Sequence, residues 1–426
     1  MTFKENLSKF LTDDEISSLL DSFLNEDKHA AILNIDKISD EEFLELYPNV
    51  IPHPLVEHAY LFDKNEYQLG KSLYHDLGCF YIQEPSAMSV ASFLPKINNA
   101  FILDMCAAPG GKSIQTAFRN PTSTIISNDL SKPRTSLLLS NIERLGISNV
   151  VITNNDFASV YKSYLESFDT IILDAPCSGS GMFRKDDKMI EDWSINKVYK
   201  FAELQKELLS IAYEMLKPGG VISYSTCSYS MEEDEEVIQD LLDKHKDAVI
   251  LPLENIKGIY KNKKCPLGIR FMPNMFPGEG QYLCLIKKPG ELKPNNFVSD
   301  NKFQKTFPFI GEGTNVKKYG DFYFALNHDI PIRNLNVIRY GVKLAEYDGK
   351  VYRYDLHLAR SELSKNMNTV ELTLDEVKTY LSGNVIRKVS DFKGYILLTY
   401  KNKTIDIAKT DGFVIKNHYP KGLRRN

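Results

Sequence analysis

Between residues 100 and 226 the apolar positions switch repeatedly between two spacings. Phe101-Ile-Leu-Asp104, Thr124-Ile-Ile-Ser-Asn-Asp129, Val150-Val-Ile152, Phe168-Asp-Thr-Ile-Ile-Leu-Asp174 and Val221-Ile-Ser-Tyr-Ser225 are short runs of strand length. Between them lie stripes at helical spacing. One is Leu138, Ile142 and Leu145; the next is Val198, Phe201, Leu204, Leu208, Ile211 and Met215. Pro218-Gly219-Gly220 ends the longer stripe. Apolar strands alternating with helices predict a parallel, doubly wound α/β sheet. Such sheets bind ligands outside the carboxyl ends of their strands.

The flanks read differently. Thr12-Asp-Asp-Glu15 and Ser39-Asp-Glu-Glu42 each precede an apolar helical face with capping-box spacing. Ala31-Ile-Leu-Asn-Ile35 predicts a strand between them, so residues 1–95 are read as a small α+β module. Residues 96–290 hold the α/β domain, and residues 291–318, rich in Lys, Pro and Asn, are read as a linker. In 319–426, Tyr395-Ile-Leu-Leu-Thr-Tyr400 and Thr404-Ile-Asp-Ile407 predict paired strands around Lys401-Asn402-Lys403, hence a second α+β module.

Composition narrows the class. The 426 residues are 43% hydrophobic and 25% charged, which suits a folded chain of two or three domains. No apolar run approaches the roughly 18 residues of a membrane span, and no apolar stretch follows the first lysines. A cytoplasmic protein without a membrane partner is expected. The six cysteines, at 79, 106, 177, 227, 265 and 284, form no CxxC pair. That argues against zinc and iron–sulfur sites, so no metal is expected and the thiols are read as free. Net charge is −4, but it is unevenly spread. Residues 1–50 carry 4 Lys against 12 acids, read as a solvated face. Residues 386–426 carry 10 Lys or Arg against 3 Asp, interleaved with Phe392, Tyr395, Tyr400, Phe413 and Tyr419. That mixture fits an RNA contact.

Three motifs carry chemistry. Asp104-Met-Cys-Ala-Ala-Pro-Gly-Gly-Lys-Ser113 follows a strand and opens a helix. Gly110 and Gly111 allow a ligand to approach the backbone. The polyphosphate patterns are absent, since Cys106 stands where a P-loop needs its first glycine. A nucleoside cofactor without a polyphosphate is the better reading. Asp129 ends the second strand, where an acid can accept from both ribose hydroxyls. Asp156 follows the third strand and could accept from an adenine amino group. Asp174 ends the fourth. Helix capping is the ordinary role of such acids, but four successive strand ends make it a weak explanation for all of them.

The other motifs are Asp174-Ala-Pro-Cys177-Ser-Gly-Ser-Gly181 and Tyr224-Ser-Thr-Cys227-Ser-Tyr-Ser230. A lone cysteine after a strand is usually a small core residue. Two at equivalent strand ends, beside an acid and glycine turns, point to nucleophilic chemistry. Carbon 5 of cytosine is a poor nucleophile. A thiolate added at carbon 6 makes the ring enamine-like, and carbon 5 can then attack a sulfonium methyl such as that of S-adenosylmethionine. Asp174 is placed to manage the proton near N3. A second cysteine could assist the closing elimination.

Taken together these segments resemble the Nol/Nop/Sun-type RNA cytosine-5 methyltransferases. The resemblance rests on Tyr81-Ile-Gln-Glu-Pro-Ser-Ala87, residues 104–113, Asp129 with Arg134, residues 174–181, Lys217-Pro-Gly-Gly220 and Ser225-Thr-Cys-Ser228. The ending Lys416-Asn-His-Tyr-Pro-Lys-Gly-Leu-Arg424 is similar to that of the bacterial RsmF-like subgroup, which acts on 16S ribosomal RNA. The resemblance implies a Rossmann-like methyltransferase sheet, an N-terminal α+β RNA-binding module and a PUA-like C-terminal RNA-binding module. It implies S-adenosyl-L-methionine as cofactor, 16S ribosomal RNA as partner, free or within the small subunit, and a monomer. Cys227 would be the nucleophile and Cys177 the release cysteine. Cys106, Ala107, Ala108, Pro109, Gly110, Gly111 and Lys112 would hold the cofactor's methionine end and ribose. Asp129 would take the ribose hydroxyls, Asp156 the adenine, and Asp174 both methyl-transfer region and base, with Arg134 steadying that edge. Arg270 matches a position that could contact phosphate. Ile32 stands where the family often has Arg, and Pro273-Asn274 and Gly280-Gln281-Tyr282 also depart from the pattern. Two alternatives stay open: the same chemistry on tRNA, and a non-catalytic ribosome-assembly factor of the same fold.

Overall fold

The computed structural model describes every residue except 26–27, 185–189, 191, 255, 298–301 and 425–426. Part of the expected linker therefore lies outside the described residues. All five predicted strands form. Phe101–Asp104, Thr124–Asn128, Val150–Thr153, Phe168–Asp174 and Leu216–Thr226 pair in parallel. Phe101–Asp104 lies between Phe168–Asp174 and Thr124–Asn128. Strand order reverses there, so the crevice opens beside Asp104 and Asp174. The helix Ile195–Met215 matches the long stripe, but it stops before Pro218-Gly219-Gly220. Those residues instead lie within the strand Leu216–Thr226.

The sheet grows beyond the parallel five. Gln281–Lys287 adds antiparallel to Leu216–Thr226 and itself pairs with Val249–Ile250 and Ile269–Phe271. At the far edge, Val337–Tyr340 pairs antiparallel with Val150–Thr153. A strand from the last quarter of the chain thus completes the central sheet.

In the first module the expected strand forms at His29–Leu33, two residues early. It lies between Ala59–Phe62 and Phe80–Gln83. Thr12 and Glu15 close the full reciprocal cap. At the second box Ser39 accepts from the Glu42 N–H. The C-terminal region builds two sheets. Asn315–Tyr319, Phe322–Leu326, Val342–Tyr347 and Tyr352–Tyr354 form one. The other contains the expected hairpin, Gly394–Tyr400 with Lys403–Thr410. Lys401 and Asn402 turn it with φ of 47° and 61°. First and last modules share one core, in which Phe43, Tyr60 and Phe80 belong to the same cluster as Val377, Ile396, Ile405 and Tyr419.

The last module also docks on the central domain. Gly146, φ 73°, ends the helix Lys132–Leu145, and a Cβ there would lie 1.9 Å from the Arg360 carbonyl oxygen. Gly146→Ala therefore meets both a disfavoured backbone region and a backbone collision. We expect a loss of about 2–4 kcal/mol of stability, read as a lower thermal midpoint. An unchanged midpoint would show that this docking yields freely.

Candidate active site

The chain leaves Asp104 through residues 105–110 and enters the helix Gly111–Arg119. Gly110 holds φ at 115°, and a Cβ on Gly111 would stand 2.6 Å from the Gln83 amide. Both glycines are required by this close approach. A cavity of about 330 Å³ opens here, lined by Cys106, Ala107, Ala108, Pro109, Gly111, Lys112, Gln83, Asp104 and Asp174 among others. Lys112 Nζ stands 2.7 Å from Asp174 Oδ2. Ser225 Oγ and Gln281 Nε2 donate to Asp174 Oδ1 at 2.7 and 2.9 Å. Asp104 is fully buried; it accepts from Ser113 Oγ at 2.6 Å through Oδ2, while its Oδ1 has no partner among the described residues. Burial pushes the Asp104 carboxyl up to about 7. Burial and the surrounding carboxylates keep the Cys106 thiol protonated.

Asp129, Arg134 and Asp156 lie outside that cavity's lining. Asp129 is buried and accepts from the Ala108 and Ser131 N–H groups at 3.2 and 2.9 Å. Arg134 donates to the Ala108 carbonyl at 2.5 Å and stands 3.4 Å from Asp129. These two residues brace the back of the loop. Asp156 is exposed and caps a short helix through the Ala158 N–H, 3.0 Å away.

The two motif cysteines meet. Phe168–Asp174 and Leu216–Thr226 are neighbouring parallel strands, so their following loops lie side by side. Cys177 Sγ is 2.8 Å from Cys227 Sγ, and both are free thiols. The Gly181 N–H donates to the Cys227 carbonyl at 2.6 Å, and a Cβ at Gly181 would strike that oxygen at 2.4 Å. The neighbouring Cys227 sulfur, then burial, push the Cys177 thiol well above its ordinary range, with the Glu233 charge adding to this. Cys177 is thus held as a thiol.

Sequence reasoning passed over the residue that joins these loops. Glu233 is fully buried. It accepts from the Ser178 N–H at 2.8 Å, from the Ser178 hydroxyl, from Ser228 Oγ at 2.6 Å and from Gln205 Nε2 at 3.1 Å. Ser178 follows Cys177 and Ser228 follows Cys227, so one carboxylate ties both cysteine loops. Glu232, Glu233, Asp234 and Glu235 are four consecutive acids, and all four are buried. The usable signal was their place directly after the second cysteine motif. Glu233→Gln keeps the volume but turns one acceptor into a donor facing hydroxyls. We expect kcat to fall about 10–100-fold with the cofactor KM unchanged, measured by steady-state kinetics. A proportionate rise in KM would show that Glu233 shapes binding instead.

Arg270 corrects an expectation. It is 2% exposed and pairs with Asp234, at 2.9 Å, and with Glu235. Its guanidinium also lies over the Phe10 and Tyr282 rings. The guanidinium is buried against these carboxylates and rings, so it does not reach a phosphate. Among the described residues no cluster of His, Cys, Asp or Glu could hold a metal, and no helix is long and apolar enough to cross a membrane.

Comparison with known proteins agrees with this arrangement along the chain. Residues 91–287 match the model of the 16S rRNA methyltransferase RsmB/F family. Residues 1–85 match the N-terminal domain of 16S rRNA methyltransferase RsmF, and residues 367–425 match the methyltransferase RsmF PUA domain. The chain is 33% identical to ribosomal RNA small subunit methyltransferase F of Escherichia coli strain SE11, over 92% of this chain and 90% of that one. It is 30% identical to the protein of that name from Vibrio vulnificus strain YJ016, over 97% of both. A crystal structure of a methyltransferase homologue from Pyrococcus horikoshii superposes with a TM-score of 0.58 at 26% identity, covering 67% of this chain and 93% of that chain. Sheet, crevice, N-terminal module and PUA module all converge: the chain belongs to the RsmB/F family of 16S rRNA methyltransferases.

Proposed function

We propose that this protein transfers a methyl group from S-adenosylmethionine to carbon 5 of a cytidine in 16S ribosomal RNA, through a covalent Cys227–C6 adduct. The observation that carries the reading is the 2.8 Å approach of Cys227 to Cys177, which lies three residues beyond an Asp174 that lines the cavity. The residues fit the cofactor. The cavity has the size of a small-molecule site. Gly110 and Gly111 leave the backbone open, and the buried acceptors Asp104 Oδ1 and Gln83 Oε1, unpartnered among the described residues, suit an ammonium or hydroxyl donor. When bound, the cofactor supplies an electrophilic methyl.

The chain's own residues do the rest. The Cys227 thiolate forms the bond to carbon 6, and carbon 5 takes the methyl. Asp174, held by Lys112, Ser225 and Gln281, faces the base and governs the proton at N3. Release removes the carbon 5 proton, restores the ring double bond and breaks the carbon–sulfur bond. Cys177 assists that elimination, and the proton passes to solvent. The target base must leave its stack to reach the sulfur. In this reading the loop from Cys106 to Lys112 holds the methionine end and ribose, and Asp129, braced by Arg134, takes the ribose hydroxyls. Asp156 takes the adenine. Residues 1–95 and 319–426 bind RNA on either side of the catalytic domain at 96–290.

The test is methyl-labelled S-adenosylmethionine with naked 16S RNA, small subunits and bulk tRNA, all from cells lacking the protein. Labelled 5-methylcytidine in 16S RNA or the subunit is expected. Label in tRNA alone would overturn the substrate. No label, with cofactor binding intact, would overturn the reaction.

A further inference from the structure

A second crevice beside the catalytic domain has no role in the reaction above. It measures about 580 Å³ and lies where the first, central and last modules meet. Its walls are the turn after His29–Leu33, the end of the helix Lys132–Leu145, the segment 360–365 and the hairpin around Asn402. Lys37, Arg360, Lys365 and Lys403 line it, against the acids Asp36 and Glu362.

What sets this crevice apart is how its cations are satisfied. Several buried cations elsewhere face carboxylates, as Arg270 faces Asp234 and Glu235, and Lys217 faces Asp169. Lys403 likewise pairs with Glu42. Lys37 instead donates to the Leu77 carbonyl at 3.2 Å. Arg360, 3% exposed, donates to the Ile405 and Asp76 carbonyls. Arg144, just behind, donates to the His75 and Phe80 carbonyls and to the Asn141 side-chain oxygen. None of these three has a carboxylate ion pair among the described residues. Uncompensated cations in a partly buried crevice attract an anion.

The position suggests which anion. The Asn34 N–H donates to the Cys79 carbonyl at 2.9 Å, and the next residues form the strand Phe80–Gln83. Gln83 lines the cofactor cavity. At about 3.3 Å per residue, the crevice stands about 13 Å along this strand from the cofactor cavity. We propose that the crevice lined by Lys37 and Lys365, with the buried charge of Arg360 behind them, binds the sugar–phosphate backbone of the RNA. This rests on the reading that the protein acts on RNA.

Burial, together with Arg360 and Arg144, lowers Lys37 to about 7. The other groups facing it are Glu362, Asp36, His357 and Cys79. Burial raises Cys79 to about 11 and lowers His357 to about 3, so neither titrates between pH 7 and 9. A phosphate beside Lys37 favours its charged form. Binding then takes up a proton above pH 7, and affinity falls as pH rises through that range.

The test uses the full chain and 16S RNA transcribed in vitro, with affinity measured across salt and pH series. Lys37→Ala with Lys365→Ala should weaken binding about 10–100-fold and lower the salt slope by about two. Lys37→Arg should keep the affinity and lose its fall above pH 7. Lys365 is exposed, so Lys365→Ala alone, with a slope lowered by about one, serves if the double variant fails to fold. Unchanged affinity and slope in these variants, or a pH dependence surviving in Lys37→Arg, would overturn the site. Single-turnover methyl transfer at saturating RNA should persist in every variant. A wild type that neither binds nor methylates the RNA would overturn the functional reading and this site together.

Discussion

Cys227→Ala should abolish methyl transfer. The substitution removes one sulfur from a loop held by the Gly181 N–H and by Glu233 through Ser228, so the scaffold around it stays in place. The cofactor cavity does not include Cys227 among its lining residues, so cofactor affinity should be preserved. Without a nucleophile at carbon 6 there is no enamine, and carbon 5 has no electron density to offer. A fall on the order of 10⁴-fold, about 5.4 kcal/mol on the barrier, is expected in single-turnover transfer to 16S RNA. Cys177 does not substitute for it, because the neighbouring sulfur and burial hold Cys177 as a thiol. Turnover retained within tenfold would move the nucleophile elsewhere.

Cys177→Ala should give the opposite fault. The bond to carbon 6 still forms and the methyl still transfers, but the elimination that frees Cys227 slows. A covalent protein–RNA species should accumulate in the presence of the cofactor. It should be visible as a slow-migrating band under denaturing conditions and be absent from the Cys177→Ala, Cys227→Ala double variant. Multiple turnover should fall about 100-fold or more while the first turnover proceeds. If no adduct accumulates although the first methyl is transferred, release does not depend on Cys177.

The central domain was legible because every strand there is an apolar run and every helix a stripe. Phe101–Asp104 and Phe168–Asp174 fall where their patterns begin and end. The cysteine pair was legible for a related reason: parallel neighbours put equivalent strand ends side by side. Lys-Pro-Gly-Gly was misread as a stop because Pro and Gly break isolated elements, whereas here Gly219, at φ 82°, bends within a strand. The strand Val337–Tyr340 was invisible, since its value to the fold lies in a sheet edge about 180 residues earlier. Glu233 was passed over and Arg270 misplaced for one reason. Charge alone predicts exposure, and only the partners Ser178, Ser228, Asp234 and Glu235 make burial tolerable.

The core shared by Phe43, Tyr60 and Phe80 with Val377, Ile396 and Tyr419 bears on how the chain is made. Synthesis delivers the first module complete, with half of that core bare. Its counterpart, beginning at Leu372, follows about 290 residues later. At roughly 5–20 residues per second that interval is about 15–60 s. During it the growing chain carries an apolar face that only its own far end covers. A chain terminated before residue 372 would never bury that face.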